Sequence, residues 1–223
     1  MLERYNPILT AIRDVCPTAH VGGGAVRDSL LERPIRDIDV FLKGCPDAYD
    51  TVPKLLRSQF GYVKVGEWKQ YELFSDPVVA GVARFEKADE KIPICLITLK
   101  RACSIQDNLK RFDYGVCMAA WDGKEVYTAP EYVADVEAKS FTLHRADNQA
   151  QFNYSMARFK KMTAERYADW KLRVPDMFAD LARDYAFKNT WSYERVLHDD
   201  DEVGAWCQML GGLQKQELTP KAR

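Results

Sequence analysis

The sequence predicts an α+β fold, with a head of strands and short helices over residues 1–147 and a small helical region over residues 148–223. Three observations carry that prediction. Short apolar runs alternate with turn residues through the first part of the chain. Strand-like runs stop near residue 148. Beyond it, apolar residues recur at helical spacing through Phe152, Met156, Phe159, Met162 and Tyr167.

The head reads in order. Residues 21–24, VGGG, break into AVRDSLLER, a short amphipathic helix with Val26, Leu30 and Leu31 on one face, ended by Pro34. DIDVFL at 37–42 follows as a strand. The second half of PDAYDTVPKLLRSQFG is helical and Gly61 stops it. YVKVG, QYELFS, VVAGVARFE and IPICLITL read as four strands, with bends near Asp76-Pro77 and Lys91 to Pro93. A short polar helix near SIQDNLKR, the apolar stretch YGVCMAAW, a turn at Asp122-Gly123 and the strand EVYTA complete the head. In the C-terminal region, Pro175 separates the long helix from further helices at residues 177–188 and 201–210, and the tail at 214–223 is expected to fray.

Bulk properties exclude several classes. With 223 residues, 47% of them apolar and 29% charged, the chain is neither disordered nor too short for a core. A net charge of −1 excludes a wholesale basic nucleic-acid binder. Ser155 to Arg173 holds six basic residues against two acidic ones, so any grip on a polyanion must come from a local patch. No membrane-spanning run is evident, and MLERYNPILTAIRD reads as neither signal nor transit peptide, so the expected location is cytoplasmic. Cys16, Cys45, Cys95, Cys103, Cys117 and Cys207 show no CxxC spacing. They read as reduced thiols rather than bridges or ligands of a structural zinc.

The chemistry concentrates between His20 and Leu42. Gly22, Gly23 and Gly24 lie between a strand and a helix, where they let the backbone turn sharply and aim N–H groups at phosphate oxygens. Arg27, one turn into the helix, can offer a fork of donors to the same phosphates. Nine residues after Asp28 comes Asp37-Ile38-Asp39. On a strand, residues i and i+2 share a face, so both carboxylates project to one place while Ile38 and Val40 enter the core. Two like charges so close call for a shared cation, and a pair of divalent ions, Mg²⁺ or Mn²⁺, would suit phosphoryl transfer. His20, His144 and His198 are far apart in sequence with no matching nucleophile.

GGGAVRDSLLERPIRDIDVFL resembles the head-domain signature of the CCA-adding tRNA nucleotidyltransferase and bacterial poly(A) polymerase family. Glu32 departs from it, standing where a glycine is common. The resemblance implies a polymerase-β-like nucleotidyltransferase fold, with a mixed sheet and flanking helices. It implies metal-binding carboxylates at Asp37 and Asp39, and nucleotide contacts at the glycine turn (Gly23, Gly24) and Arg27. The segment Asn108 to Val116 is similar to a second family segment, with matches at Leu109, Arg111 and Asp113. There Phe112 stands in place of an arginine that contacts the nucleotide, Arg111 is a candidate substitute, and Asp113 is the nearest candidate for a third catalytic carboxylate. Cys95 stands where the family carries an acid. The helix from Gln151 occupies the place of the family's base-selecting helix, with Arg158 and Lys161 aligned to two of its arginines. Gln151, Phe152 and Ser155 replace its acid pair and first arginine. A cation alone cannot offer the acceptor that pairs with an exocyclic amine, so faithful CCA addition is not expected.

Three functions follow. The first is a metal-dependent nucleotidyltransferase of the EC 2.7.7 type, moving a nucleoside monophosphate from a nucleoside triphosphate to an RNA 3′ end, tRNA-like or otherwise. The second keeps the chemistry with a protein or small-molecule acceptor, because the family's long tRNA-holding domains are missing. The third is a nucleotide- or RNA-binding module without catalysis, suggested by Cys95 and Phe112. The basic stretch with Tyr167 and Trp170 is either a stacking surface for nucleic acid or a solvated helix face.

Overall fold

A computed structural model of the chain describes residues 2–45, 47–68, 78–101 and 103–188. The strand expected at 70–75, the helix at 201–210 and the frayed tail lie outside the described residues. The elements in order are α1 (Asn6–Val15), β1 (His20–Gly22), α2 (Gly24–Leu30), β2 (Ile38–Lys43), α3 (Ala48–Phe60), β3 (Val63–Trp68), β4 (Val79–Lys87) and β5 (Glu90–Leu99). Then come α4 (Ile105–Leu109), β6 (Ala119–Trp121), β7 (Val126–Thr128), α5 (Pro130–Ala138), β8 (Ser140–Thr142), α6 (Gln149–Glu165), β9 (Lys171–Arg173) and α7 (Ala179–Lys188). The chain divides into two units. The first takes Met1–Phe112 and Cys117–Tyr132, and the second takes Asp113–Val116 and the chain from Val133 on. Of the head expected to run to residue 147, residues 113–116 and 133–147 fall in the second unit.

In the first unit, seven strands among the described residues form one sheet in the order β3-β4-β5-β2-β1-β6-β7. It is mixed: β2 pairs parallel with β5, and every other neighbouring pair is antiparallel. Ile38, Val40 and Leu42 alternate inward along β2 and are almost wholly buried. Leu42 lines a groove with Leu96, Ala83 and residues of α3, so this face of the sheet is the one α3 covers. The other face carries Asp39, partly exposed, with Phe41 and Lys43 buried beside it.

Several local expectations need correction. α3 begins at Ala48 and runs through Pro53, where only its second half was expected to be helical. Pro53 lies in its second turn, at the cost of the bond an N–H there would have given to Tyr49 O. Gly61 does end it, in a left-handed cap with Gly61 N donating to Arg57 O and Tyr62 N to Leu56 O. The bend expected at Lys91 to Pro93 falls at Ala88-Asp89 instead, and 91–93 belong to β5. Leu30, expected on the buried face of α2, is 43% exposed, because that helix ends there after only seven residues. Cys16 and Cys45, expected as thiols, form a disulfide with their Cα atoms 5.7 Å apart. Sequence spacing could not foresee it, since the fold alone brings the end of α1 beside the end of β2.

In the second unit, strand structure does not stop at 148, for β9 pairs in parallel with β8. Phe141 of β8 is the centre of the core, with the rings of Tyr114, Phe159, Tyr167 and Trp170 each 5.4–5.6 Å away. Tyr167 is fully buried and Trp170 nearly so, which rules out their use as a stacking surface for nucleic acid. The buried carboxylate of Asp135 accepts from Val116 N, Ser140 Oγ and Thr142 N, and burial pushes its pKa upward.

Candidate active site

The glycine turn is built as the sequence requires. β1 ends at Gly22, and Gly23 precedes α2 at φ 71° and ψ −132°, a conformation costly for any residue with a Cβ. Its N–H donates to Ala119 O of the neighbouring strand at 2.8 Å. The ring of Phe112 rests on the turn. A Cβ built on Gly23 would lie 2.7 Å from Phe112 Cε1, and one on Gly22 would lie 3.3 Å from Cζ. Glu32, where the signature commonly has glycine, takes the left-handed region at φ 54°, which explains the glycine elsewhere.

Asp37 and Asp39 stand at the start of β2, both partly exposed, while Ile38 and Val40 are buried. β1 pairs His20 with Phe41 and Val21 with Val40, and that register carried one residue further sets Gly22 opposite Asp39. The turn and the carboxylates are therefore side by side on one face of the sheet. On the other flank, Cys95 is the direct partner of Asp39, and Arg84 of Cys95. Burial, followed by the charges of Asp39 and Asp37, pushes the Cys95 thiol up to about 12, consistent with both carboxylates lying near it.

Two adjacent, partly exposed carboxylates are suitable hard donors for Mg²⁺, which commonly takes one or two carboxylates and completes its octahedron with water and substrate phosphates. Among the described residues no group of three or more His, Cys, Asp or Glu side chains could hold a metal ion.

Arg27 does not extend into solvent. It is 2% exposed, with Nε and Nη2 each 2.7 Å from Asp28 Oδ1 and Nη1 3.3 Å from Cys117 Sγ. Its guanidinium remains beside the turn, since a Cβ on Gly24 would lie 3.6 Å from Nη2. Arg111 is partly exposed in the turn after α4 rather than on a strand.

Asp113 and Arg158, both in the second unit, face each other. Arg158 Nη1 lies 2.6 and 2.7 Å from the two oxygens of Asp113, and Ser155 Oγ donates to the same carboxylate at 2.9 Å. The first turn of α6 is equally committed. Gln151 accepts from Asp147 N within the cap, and Phe152 is buried against Tyr185.

Sequence reasoning passed over the buried polar groups on the Asp39 face. His20 is fully buried, stacked on Phe41 with ring centroids 5.4 Å apart. Asn108 Nδ2 lies 3.0 Å from Nε2 and Thr18 O 3.3 Å from Nδ1, which fits a neutral ring with the proton on Nδ1. Burial, reinforced by the nearby Lys43 charge, lowers its pKa to about 4. Lys43, on the same strand face, is 2% exposed, and burial lowers its pKa too. Because the unfolded chain protonates His20 near pH 6.5 and the folded one near 4, stability is full above 6.5 and falls as pH drops between these values. The expected loss is about 3 kcal/mol. His20→Gln should flatten that slope in denaturant unfolding from pH 7 to 4. An unchanged slope would assign the acid sensitivity to other groups.

The fold is the one seen in solved CCA-adding enzymes. A "tRNA-processing enzyme (apo form I)" superposes with a TM-score of 0.54 at 16% identity, covering 100% of this chain and 59% of its own. The Thermotoga maritima CCA-adding enzyme complexed with tRNA superposes with a TM-score of 0.54 at 17% identity, covering 99% and 53%. In sequence, the CCA-adding enzyme of Streptococcus pyogenes serotype M5 (strain Manfredo) is 44% identical over 45 residues, 20% of this chain and 11% of that protein. The serotype M3 (strain ATCC BAA-595 / MGAS315) enzyme matches to the same extent. The chain thus spans little more than half of these structures and matches about a tenth of the curated relatives. Within this nucleotidyltransferase-like class of fold its own family is narrower. The chain belongs to the Gad2 family, whose model, "Gabija anti-defense 2 family protein", matches residues 7–139.

Proposed function

We propose that the protein is a nucleotidyltransferase that moves a nucleoside monophosphate from a nucleoside triphosphate to an acceptor hydroxyl, with an RNA 3′ end as acceptor. The observation that carries this is the placement of Asp39 in β2 opposite Gly22 of the glycine turn, with Asp37 directly before the strand. The 45-residue similarity to CCA-adding enzymes and the shared fold support it. In this reading the turn and Arg27 bind the triphosphate, and Asp28 holds the Arg27 guanidinium in place. A divalent cation, Mg²⁺ or Mn²⁺, would be held by Asp37 and Asp39 and would offset charge on the phosphates. The acceptor oxygen bonds to the α-phosphorus as the bond to the bridging oxygen of pyrophosphate breaks, and Asp39 takes the hydroxyl proton. Such catalysis is mostly positioning and charge neutralisation. Within the second unit Asp113 is held by Arg158 and Ser155, so its carboxylate is committed to that pair.

Faithful CCA addition is not part of this reading, because Gln151, Phe152 and Ser155 are occupied by cap, core and Asp113. That same occupation, with the family's description as an anti-defense protein against Gabija, favours a second reading in which the acceptor is a protein of that defence. The test is incubation with each α-labelled nucleoside triphosphate, Mg²⁺ or Mn²⁺, and RNA and protein acceptors together. Label in RNA supports the first reading and label in protein the second. Label in neither opposes both.

A further inference from the structure

His20 and Asn108 form a buried polar pair that has no part in the chemistry above. His20 is fully buried, Asn108 is 1% exposed, and Asn108 Nδ2 donates to His20 Nε2 at 3.0 Å. The bond joins β1 to α4 across 88 positions of sequence. α4 has five residues, fewer than a helix needs to hold itself in water. Its buried side chains are Asn108 and Leu109. An apolar contact such as that of Leu109 has no direction, so the hydrogen bond of Asn108 fixes how α4 sits against β1. The next turn hangs from that helix, with Arg111 N donating to Asn108 O and Phe112 N to Leu109 O, each at 3.1 Å. The ring of Phe112 then meets Phe41 edge-on, with centroids 5.8 Å apart, and Phe41 stacks on His20. This row of three rings ends on the glycine turn, and Phe41 follows Asp39 by two residues on the same strand face.

We propose that the His20–Asn108 hydrogen bond is a positioning contact for the candidate site. By tying α4 to β1 it holds Phe112 on the glycine turn, and so keeps the turn in the shape that receives a triphosphate. The proposal rests on the nucleotidyl-transfer reading above and deepens it. Gly23 stands at φ 71° and ψ −132°, and a glycine leaves any one conformation easily. The ring packed over it restricts that movement, since a Cβ there would lie only 2.7 Å from Phe112 Cε1. Without the tether the ring can withdraw and the turn gains other conformations. Affinity then falls by the fraction of time the turn spends out of the receiving shape.

The test compares the full chain with Asn108→Leu, His20→Phe and the double variant. Three quantities are measured: calorimetric binding of ATP, CTP, GTP and UTP in Mg²⁺, denaturant unfolding, and amide hydrogen exchange at Arg111 and Phe112. His20→Phe keeps a ring to stack on Phe41. Each single variant leaves one polar partner buried and unpaired and is expected to lose stability, whereas the double variant leaves none and recovers most of it. Binding is expected not to follow stability. Affinity for whichever triphosphate the parent binds falls about tenfold in all three variants, the double variant included. Exchange at Phe112 quickens in all three as well. The double variant decides where a single one fails to fold. Affinity that recovers along with stability in the double variant, or that matches the parent throughout, overturns the proposal while leaving nucleotidyl transfer standing. A parent chain that binds none of the four triphosphates overturns both, so the two failures are distinguishable.

Discussion

Asp37→Ala and Asp39→Ala are each expected to reduce nucleotidyl transfer about a thousandfold or more, with the fold intact. Asp39 stands in β2 opposite Gly22 and Asp37 directly precedes the strand, and among the described residues no larger ligand cluster stands ready to replace them. Losing one of two anionic ligands removes most of the electrostatic organisation that phosphoryl transfer depends on. Their neighbours Ile38 and Val40 carry the packing, and both remain. Relieving repulsion between two close like charges should leave the melting temperature unchanged or slightly raised. Transfer rate and thermal unfolding, measured on the same preparations, check both halves. Full activity in both variants would remove the site from Asp37 and Asp39.

Arg27→Ala is expected to destabilise the protein by about 3–5 kcal/mol, because it leaves Asp28 buried without its partner. The side chains of the pair are 2% and 3% exposed. Arg27→Ala combined with Asp28→Ala should recover part of that loss, since no uncompensated charge then remains. Nucleotide binding separates the binding role from the packing role. In the double variant, affinity for a triphosphate should fall more than affinity for the matching nucleoside. Arg27→Lys should restore only part of either property, because a point charge cannot replace the fork of donors. Equal losses for nucleoside and triphosphate would confine Arg27 to packing.

The parts of the fold that were legible in the sequence are those written in local chemistry. The glycine turn, the Asp37-Ile38-Asp39 alternation, the cap at Gly61 and the buried stripe of α6 all follow from backbone preference or from periods of 2 and 3.6 residues. What was not legible depends on distant residues meeting. The burial of Arg27 follows from the arrival of Asp28 and of Cys117, ninety positions away in sequence. The capture of Asp113 by Arg158 joins positions 45 apart, and the Cys16–Cys45 disulfide closes a separation of 29. Three-residue strands such as β8 and β9 carry too little pattern to stand out in a helical neighbourhood. Phe112 was visible only as a departure from the family's arginine, and its contact with Gly22 and Gly23 appears only in the folded chain.

The most direct test follows the two ends of one triphosphate. Parallel reactions with RNA acceptor use the same nucleoside triphosphate labelled at the α-phosphate or at the γ-phosphate, with the parent chain and with Asp39→Ala. Nucleotidyl transfer at this site predicts α-label joined to the acceptor, γ-label released in pyrophosphate, and both signals lost in Asp39→Ala. Acceptor carrying γ-label, or transfer that survives in Asp39→Ala, would contradict it.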